Sequence, residues 1–171
     1  MKAIPAALCL VFASLLSNIA PSTAQETQPA PAAIPPQIVN AKTVFIGNGG
    51  SEGATEYSGG QDRPYNMFYA EMKTWGRYAL VNSPADADLL LEIHFVLPMA
   101  MSVPKEPAVY DPQLRVIIRD PKTQALLWTV IEHADWAMLK SNRDRNFNTA
   151  MGRLVTDLET LVNRPANPSN K

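Results

Sequence analysis

Two histidines and the carboxylates near them are the residues whose types and spacing could support a reaction. Glu92 and His94 are two positions apart, as are His133 and Asp135, and Glu132 precedes His133. Residues i and i+2 of a β-strand share a face, so each pair could hold an imidazole beside a carboxylate. Such a pair could act as a general base or as half of a metal site. A hydrolase or metal-binding enzyme that uses these residues is therefore one candidate function.

Arginines near these residues favour a structural interpretation instead. Arg115 and Arg119 belong to the same kind of predicted strand face as Glu92 and His94, and cross-strand ion pairs on a solvated face account for all four. We therefore predict no catalytic residues, no metal site and no cofactor, and we favour binding over catalysis.

A glycine-rich segment is the second feature that could be functional. Residues 47–60 contain six of the eight glycines, but they lack the lysine and the spacing of a phosphate-binding loop. Long glycine-rich connections inside a compact domain are functional or mobile. We expect a mobile loop that meets a protein partner, together with exposed aromatic residues. The candidate partner-binding residues are Gly49, Gly50, Tyr57, Gly59 and Trp136.

The elements that would position these residues centre on the stretch from Ala87 to Trp128. Apolar residues at alternate positions predict a strand over residues 89–97, with Leu90 and Val96 making the second face only partly polar. A second strand over residues 113–120 is joined by an Asp-Pro-Lys-Thr turn to a third over residues 125–131. Shorter β-forming runs lie at residues 42–46 and 77–81. Prolines predict a surface loop over residues 98–112.

Two helices complete the predicted domain. Helical spacing predicts one from Pro64 to Trp75, ending near Gly76. Ser141-Asn142-Arg143-Asp144 has the pattern of a capping box that opens the second helix. An apolar stripe follows it at Phe147, Ala150, Met151, Leu154, Leu158, Leu161 and Val162. The order of elements predicts an α/β (α+β) fold, with a single mixed sheet of about five strands and two helices packed on one face.

The two ends of the chain have compositions that predict segments outside the folded domain. Residues 1–24 have the basic start, apolar stretch and small-residue cleavage site of a signal peptide, and this segment contains Cys9, the sole cysteine. Residues 25–37 form a Pro/Ala-rich leader that we expect to be disordered, residues 38–163 the single α/β domain, and residues 164–171 a flexible tail. Cleavage would leave no cysteine, disulfide or membrane span.

Charge narrows the choice of partner. With 15 basic and 16 acidic residues, the net charge of −1 gives no electrostatic reason to expect nucleic acid or an anionic membrane as partner. We predict an exported protein, periplasmic or secreted after signal-peptide cleavage. Nothing in the sequence indicates its oligomeric state.

Several runs together resemble small uncharacterised bacterial envelope domains. They are residues 75–81, the strand that begins at Ala87-Asp88, the turn at residues 120–123 that leads to Leu127-Trp128, and the closing helix over residues 154–161. Those domains are similar to the N-terminal domain of the Tol-Pal translocation protein and to the curli-secretion lipoprotein. The resemblance implies an α/β fold in a non-catalytic envelope protein. This chain lacks the lipidation cysteine of many lipoprotein members, so anchoring is not implied. We expect an envelope or periplasmic interaction module that binds a protein partner.

Overall fold

The computed structural model describes residues 32–101 and 109–164, so the predicted signal peptide, most of the leader and nearly all of the tail lie outside the described residues. In chain order the elements are α1 (Pro36–Asn40), β1 (Thr43–Ser51), α2 (Arg63–Trp75), β2 (Ala79–Leu80), β3 (Leu89–Val96), β4 (Met99–Met101), β5 (Val109–Tyr110), β6 (Gln113–Arg119), β7 (Leu126–His133) and α3 (Lys140–Asn163). Single turns of 3-10 helix occur at Ala54–Glu56 and Pro84–Asp86.

The sheet confirms the predicted fold class. Five strands lie in the order β2-β1-β3-β6-β7. Strand β1 runs parallel to both β2 and β3, whereas β3, β6 and β7 pair antiparallel, which makes the sheet mixed. Strands β4 and β5 form a separate two-stranded ribbon. In the part of the chain that the structure describes, no helix has the length and apolar character needed to cross a membrane.

One face of the sheet forms the core. The alternation predicted for β3 is confirmed, because Leu89, Leu91, Ile93 and Phe95 are at most 1% exposed. Helix α2 packs on β1 and β3, helix α3 packs on β6 and β7, and the two helices contact each other. Every residue of the predicted α3 stripe is buried. Burial of each large apolar side chain contributes roughly 1.5–3 kcal/mol, so this face is where the fold gains its stability.

The two long helices begin in different ways. Pro64 is the second residue of α2, where its missing N–H costs no hydrogen bond, and Gly76 ends the helix in the left-handed conformation with φ +66°. The predicted capping box of α3 is wrong, because Leu139 occupies the N-cap position without a side-chain hydrogen bond. The Asp144 carboxylate instead accepts hydrogen bonds from Ser58.

Three segments predicted to lack regular structure contain some. Helix α1 begins at Pro36, inside the predicted leader, and Ile38 is fully buried in the core. The predicted glycine-rich loop is wrong over residues 47–51, which continue strand β1 alongside β3. The predicted proline loop is wrong at both ends, because Met99–Met101 and Val109–Tyr110 pair as the β4–β5 ribbon.

Candidate partner-binding site

Three connecting segments lie at one end of the sheet. Strands β1 and β3 run parallel and both end there, β6 begins there, and β7 ends there. Residues 52–60, the β4–β5 ribbon and residues 134–139 are therefore attached to the same end. This end also holds much of the exposed apolar surface.

Seven large apolar side chains are exposed at this end. The most exposed are Met138 at 93%, Leu139 at 65% and Met101 at 60%. The apolar end, as we call this set, consists of Met99, Met101, Val109, Tyr110, Trp136, Met138 and Leu139. Exposed apolar side chains grouped at one end of a domain are typical of an interaction surface.

The apolar end has two halves, the β4–β5 ribbon and residues 134–139. Hydrogen bonds join these halves where they meet the sheet. Asp111 directly follows the ribbon, and its Oδ1 lies 2.7 Å from Nδ1 of His133 at the end of β7. The Ala134 N–H donates to the Pro112 carbonyl at 2.8 Å. The hydrogen bond with His133 lowers the pKa of the Asp111 carboxyl group, which favours the carboxylate in this pair. The ribbon and residues 134–139 are thereby held side by side.

Arg143 orders the segment that precedes α3. Its guanidinium donates to the carbonyls of Ala137 at 3.0 Å and Met138 at 2.8 Å. It also donates to the Glu56 carbonyl at 2.9 Å and lies 4.8 Å from the ring centroid of Trp136. The hydrogen bonds fix the backbone next to Trp136, and the guanidinium over its ring stabilises the position of the side chain. Trp136 is 48% exposed, in agreement with the prediction that it is a surface residue.

Tyr57 is not a surface residue, so that prediction is wrong. It is 4% exposed and packs against Phe95 and Phe147, with ring centroids 4.9 and 5.6 Å away. Burial raises the pKa of its phenol. The segment that contains it folds back onto the core because the ring adds apolar contacts to two phenylalanines. Tyr57 therefore supports the fold at this end of the sheet.

The three candidate glycines have separate environments. Gly49 faces His94 across the β1–β3 pair, and a Cβ added there would lie 2.2 Å from Cε1 of that imidazole. Gly50 is exposed in β1 with φ +97°, and nothing lies near the position of its missing side chain. Gly59 has φ +92° and packs against the side chain of Arg63. Their predicted contact with a partner stays a prediction.

The histidine groups follow the structural interpretation more closely than the catalytic one. Glu92 pairs with Arg119 at 3.4 Å, and His94 lies opposite Arg115 in the β3–β6 ladder. His133 contacts Asp111, which sequence reasoning did not consider, because the two are 22 residues apart. Within residues 32–101 and 109–164, no three His, Cys, Asp or Glu side chains are grouped so that they could hold a metal ion.

A serine motif also lies in this region. Residues 49–53 spell Gly-Gly-Ser-Glu-Gly, which matches the Gly-x-Ser-x-Gly motif of a nucleophile elbow. An elbow serine lies on a sharp, strained turn. Among the described residues the one non-glycine residue with positive φ is Gln124, so Ser51 has no such strain. The Ser51 hydroxyl donates to the Glu52 carbonyl at 3.5 Å, with no histidine bound to it. Residues 49–53 therefore match the motif in sequence but have neither its backbone geometry nor its histidine contact.

The fold and this site define an α/β domain with one dominant five-stranded mixed sheet and an exposed apolar end. No family model and no curated protein matches the chain. Among solved structures it is similar to a hypothetical protein of Chlamydia trachomatis, with 9% identity and a TM-score of 0.46 over 71% of this chain and 98% of that one. It is similar to a Xanthomonas campestris protein, with 13% identity and a TM-score of 0.44 over 78% and 89%.

An uncharacterized lipoprotein B of Nitrosomonas europaea shows 13% identity and a TM-score of 0.39, over 72% of this chain and 84% of that one. The resemblance to the Tol-Pal and curli-secretion proteins stays a prediction.

Proposed function

We propose that this protein is an exported, non-catalytic envelope module that binds a protein partner through its apolar end. The observation that carries the proposal is the exposure of seven large apolar side chains on two segments joined at their bases. Export rests on the signal-peptide pattern of residues 1–24.

The composition of the apolar end favours a protein as its partner. Met, Tyr, Trp and Arg are enriched in protein interfaces, and the set contains three methionines, Tyr110 and Trp136, with Arg143 stacked on the tryptophan. A fixed backbone lowers the entropy that binding must remove. The Asp111–His133 pair supplies polar groups between the two apolar halves.

The enzymatic alternative, with His94 and His133 acting beside Glu92 or Asp135, is less well supported. The hydrogen-bond partner of His133 is Asp111, whereas the Nε2 atom of His94 is buried and has no partner among the described residues. A general base must reach its substrate, and this atom is enclosed.

Affinity capture with matched variants tests the proposal. Tagged wild-type protein, Met138→Ser/Leu139→Ser and Leu126→Ser would be expressed in the producing cell, cross-linked in the envelope and purified. Leu126 is 59% exposed at the other end of β7, so it controls for loss of an exposed apolar side chain. We expect the double variant to lose at least nine-tenths of one captured protein while Leu126→Ser retains it. Equal capture by all three proteins would contradict the proposal.

A further inference from the structure

Among the described residues, strand β7 forms a long edge of the sheet that no other strand covers. Of the five strands, β2 and β7 lie at the two edges. Strand β2 has two residues, whereas β7 has eight. Proteins protect exposed sheet edges with short strands, lysines or prolines, because an open edge is a template for another strand. Residues 126–133 contain neither lysine nor proline, and the one irregularity of the β6–β7 pairing lies between Trp128 and Leu126. Residues 129–133 therefore have none of these protections.

The hydrogen bonds at the end of β7 show which backbone groups face outward. The Ala134 N–H donates to the carbonyl of Pro112, and the adjacent residue His133 lies opposite Gln113. In an antiparallel ladder, hydrogen-bonded and non-hydrogen-bonded pairs alternate along the strand. Because Ala134 and Pro112 form a hydrogen-bonded pair, His133 and Gln113 form a non-hydrogen-bonded pair, and the alternation continues from there. The β7 residues that exchange hydrogen bonds with β6 are therefore Trp128, Val130 and Glu132.

The remaining residues direct their N–H and C=O groups away from β6. Over the regular part of the ladder they are Thr129, Ile131 and His133, because the register shifts between Trp128 and Leu126. The His133 carbonyl accepts a hydrogen bond from Arg153 at 2.6 Å, so helix α3 covers that end of the edge. The hydrogen bonds of the described residues include none to the outward groups of Thr129 or Ile131. Thr129 and Ile131, two residues apart, thus leave two donors and two acceptors without a partner among the described residues.

We propose that β7 pairs antiparallel with β7 of a second copy of this chain, about a two-fold axis at Val130. This axis sets Thr129 of each copy opposite Ile131 of the other. The two Thr129–Ile131 pairs are then hydrogen-bonded pairs, so the two copies exchange four backbone hydrogen bonds and the outward groups of Thr129 and Ile131 are all used. The two five-stranded sheets become one sheet of ten strands. This self-association is independent of the apolar end and goes beyond the proposed function.

The side chains of β7 are compatible with this pairing. Ile131 is 43% exposed and meets Thr129 of the other copy, a pair of β-branched residues of the kind that stabilises antiparallel sheets. Glu132, the one acidic residue of β7, lies opposite Trp128, so the carboxylates of the two copies do not meet. Because the strand is complementary to itself, it fits the two-fold symmetry of the commonest oligomers.

Proline scanning of the free edge tests the pairing. A proline at residue 129 or 131 removes an outward N–H and leaves the β6–β7 hydrogen bonds in place, which an edge strand tolerates. Sedimentation velocity would compare the full chain with Thr129→Pro and Ile131→Pro, and Thr129→Val serves as a control that keeps the N–H. We expect a dimer whose dissociation constant rises at least tenfold in each proline variant and is unchanged in the valine variant. A monomer at every concentration, or proline variants that dimerise like the wild type, would overturn the proposal.

Disulfide trapping gives a second readout that needs no proline. With Cys9 replaced by serine, Thr129→Cys and Ile131→Cys proteins would be mixed under mild oxidation. Opposite residues of a hydrogen-bonded pair have Cα atoms about 5.5 Å apart, within disulfide range, whereas two copies of residue 129 are offset by two positions. We expect the mixture to cross-link at least fivefold more than either variant alone. Equal yields in all three samples would overturn the register, and no cross-linking in any sample would overturn the pairing.

Discussion

Gly49 lies directly beneath the imidazole ring of His94. The two residues face each other on neighbouring parallel strands, and a Cβ added to Gly49 would lie 2.2 Å from Cε1 and 2.3 Å from Nε2 of His94. The Nε2 atom is buried and has no hydrogen-bond partner among the described residues. The ring therefore occupies the space of the missing side chain, which explains a glycine within a strand.

Replacement of Gly49 by alanine should destabilise the protein, because the methyl group would force the ring of His94 out of place. We expect a loss of about 1–3 kcal/mol in the free energy of unfolding, measured with urea. Gly47→Ala is the control, since a Cβ there meets Cγ of Glu92 at 3.4 Å, an ordinary contact. His94→Ala should restore much of the loss in a double variant. A Gly49→Ala protein as stable as the control would show that the ring does not lie there.

Tyr57 should behave as a core residue. Tyr57→Ala should cost about 3–5 kcal/mol, because it leaves a cavity between Phe95 and Phe147. The buried hydroxyl has no hydrogen-bond partner among the described residues, so Tyr57→Phe should be as stable as the wild type or more stable. Urea unfolding of both variants checks this. If Tyr57→Ala unfolded at the wild-type midpoint, the ring would not be packed as described.

Asp144 should make stability depend on acid pH. Hydrogen bonds from Ser58 and the neighbouring Arg63 guanidinium lower the pKa of its carboxyl group from 3.8 to about 2. A lowered pKa in the folded state means that the ionised carboxylate stabilises above about pH 4 and that this contribution disappears as the pH falls toward 2. Asp144→Asn should therefore cost about 1 kcal/mol at pH 7, after allowance for solvent screening, and almost nothing at pH 2.

Thermal unfolding of Asp144→Asn between pH 7 and pH 2 would measure this dependence. Asp135→Asn, which changes an exposed aspartate at the same end of the sheet, is the control and should leave the wild-type curve unchanged. A constant difference between Asp144→Asn and the wild type across this range would contradict the assigned role of the carboxylate.

Asp157 should have the opposite dependence. Burial, and then the neighbouring Glu132 carboxylate, raise the pKa of its carboxyl group above 3.8. A raised pKa in the folded state means that the stabilising contribution belongs to the protonated form and is lost as the pH rises through that pKa. Asp157→Asn should therefore raise the unfolding temperature at pH 7 by about 1–2 °C, with the difference shrinking toward pH 4. Glu159→Gln on the same helix is the control; a lower unfolding temperature for Asp157→Asn at pH 7 would contradict the repulsion.

Local patterns predicted the sheet core and the long helices. The alternation of β3 and the stripe of α3 are properties of one strand and one helix, so the burial of Ile93 and Leu154 follows from the sequence alone. The Asp120-Pro121-Lys122-Thr123 turn likewise predicts the hairpin that the structure contains, with the Asp120 carboxylate accepting hydrogen bonds from the N–H groups of Lys122 and Thr123.

Long-range contacts decided the positions that local patterns missed. Gly49 lies in a strand because a ring 45 residues further on fills its space, and Tyr57 is buried by two phenylalanines from other elements. Asp144 matches a capping box in sequence, but Ser58 and Arg63 contact its carboxylate across 86 and 81 residues. The sequence contains one weak indication of the apolar end. It is the run Trp136-Ala137-Met138-Leu139, whose apolar residues do not follow the spacing of a strand or a helix.

Site-specific photo-cross-linking tests the central claim, that the apolar end binds a protein partner, most directly. A photoreactive phenylalanine analogue would be placed at Met101, Met138 or, as the control, Leu126, and the producing cells would be irradiated. We predict that Met101 and Met138 yield an adduct with the same single protein and that Leu126 does not, because the ribbon and residues 134–139 are joined at their bases. Adducts at Leu126 alone, or no protein adduct at Met101 and Met138, would contradict the account.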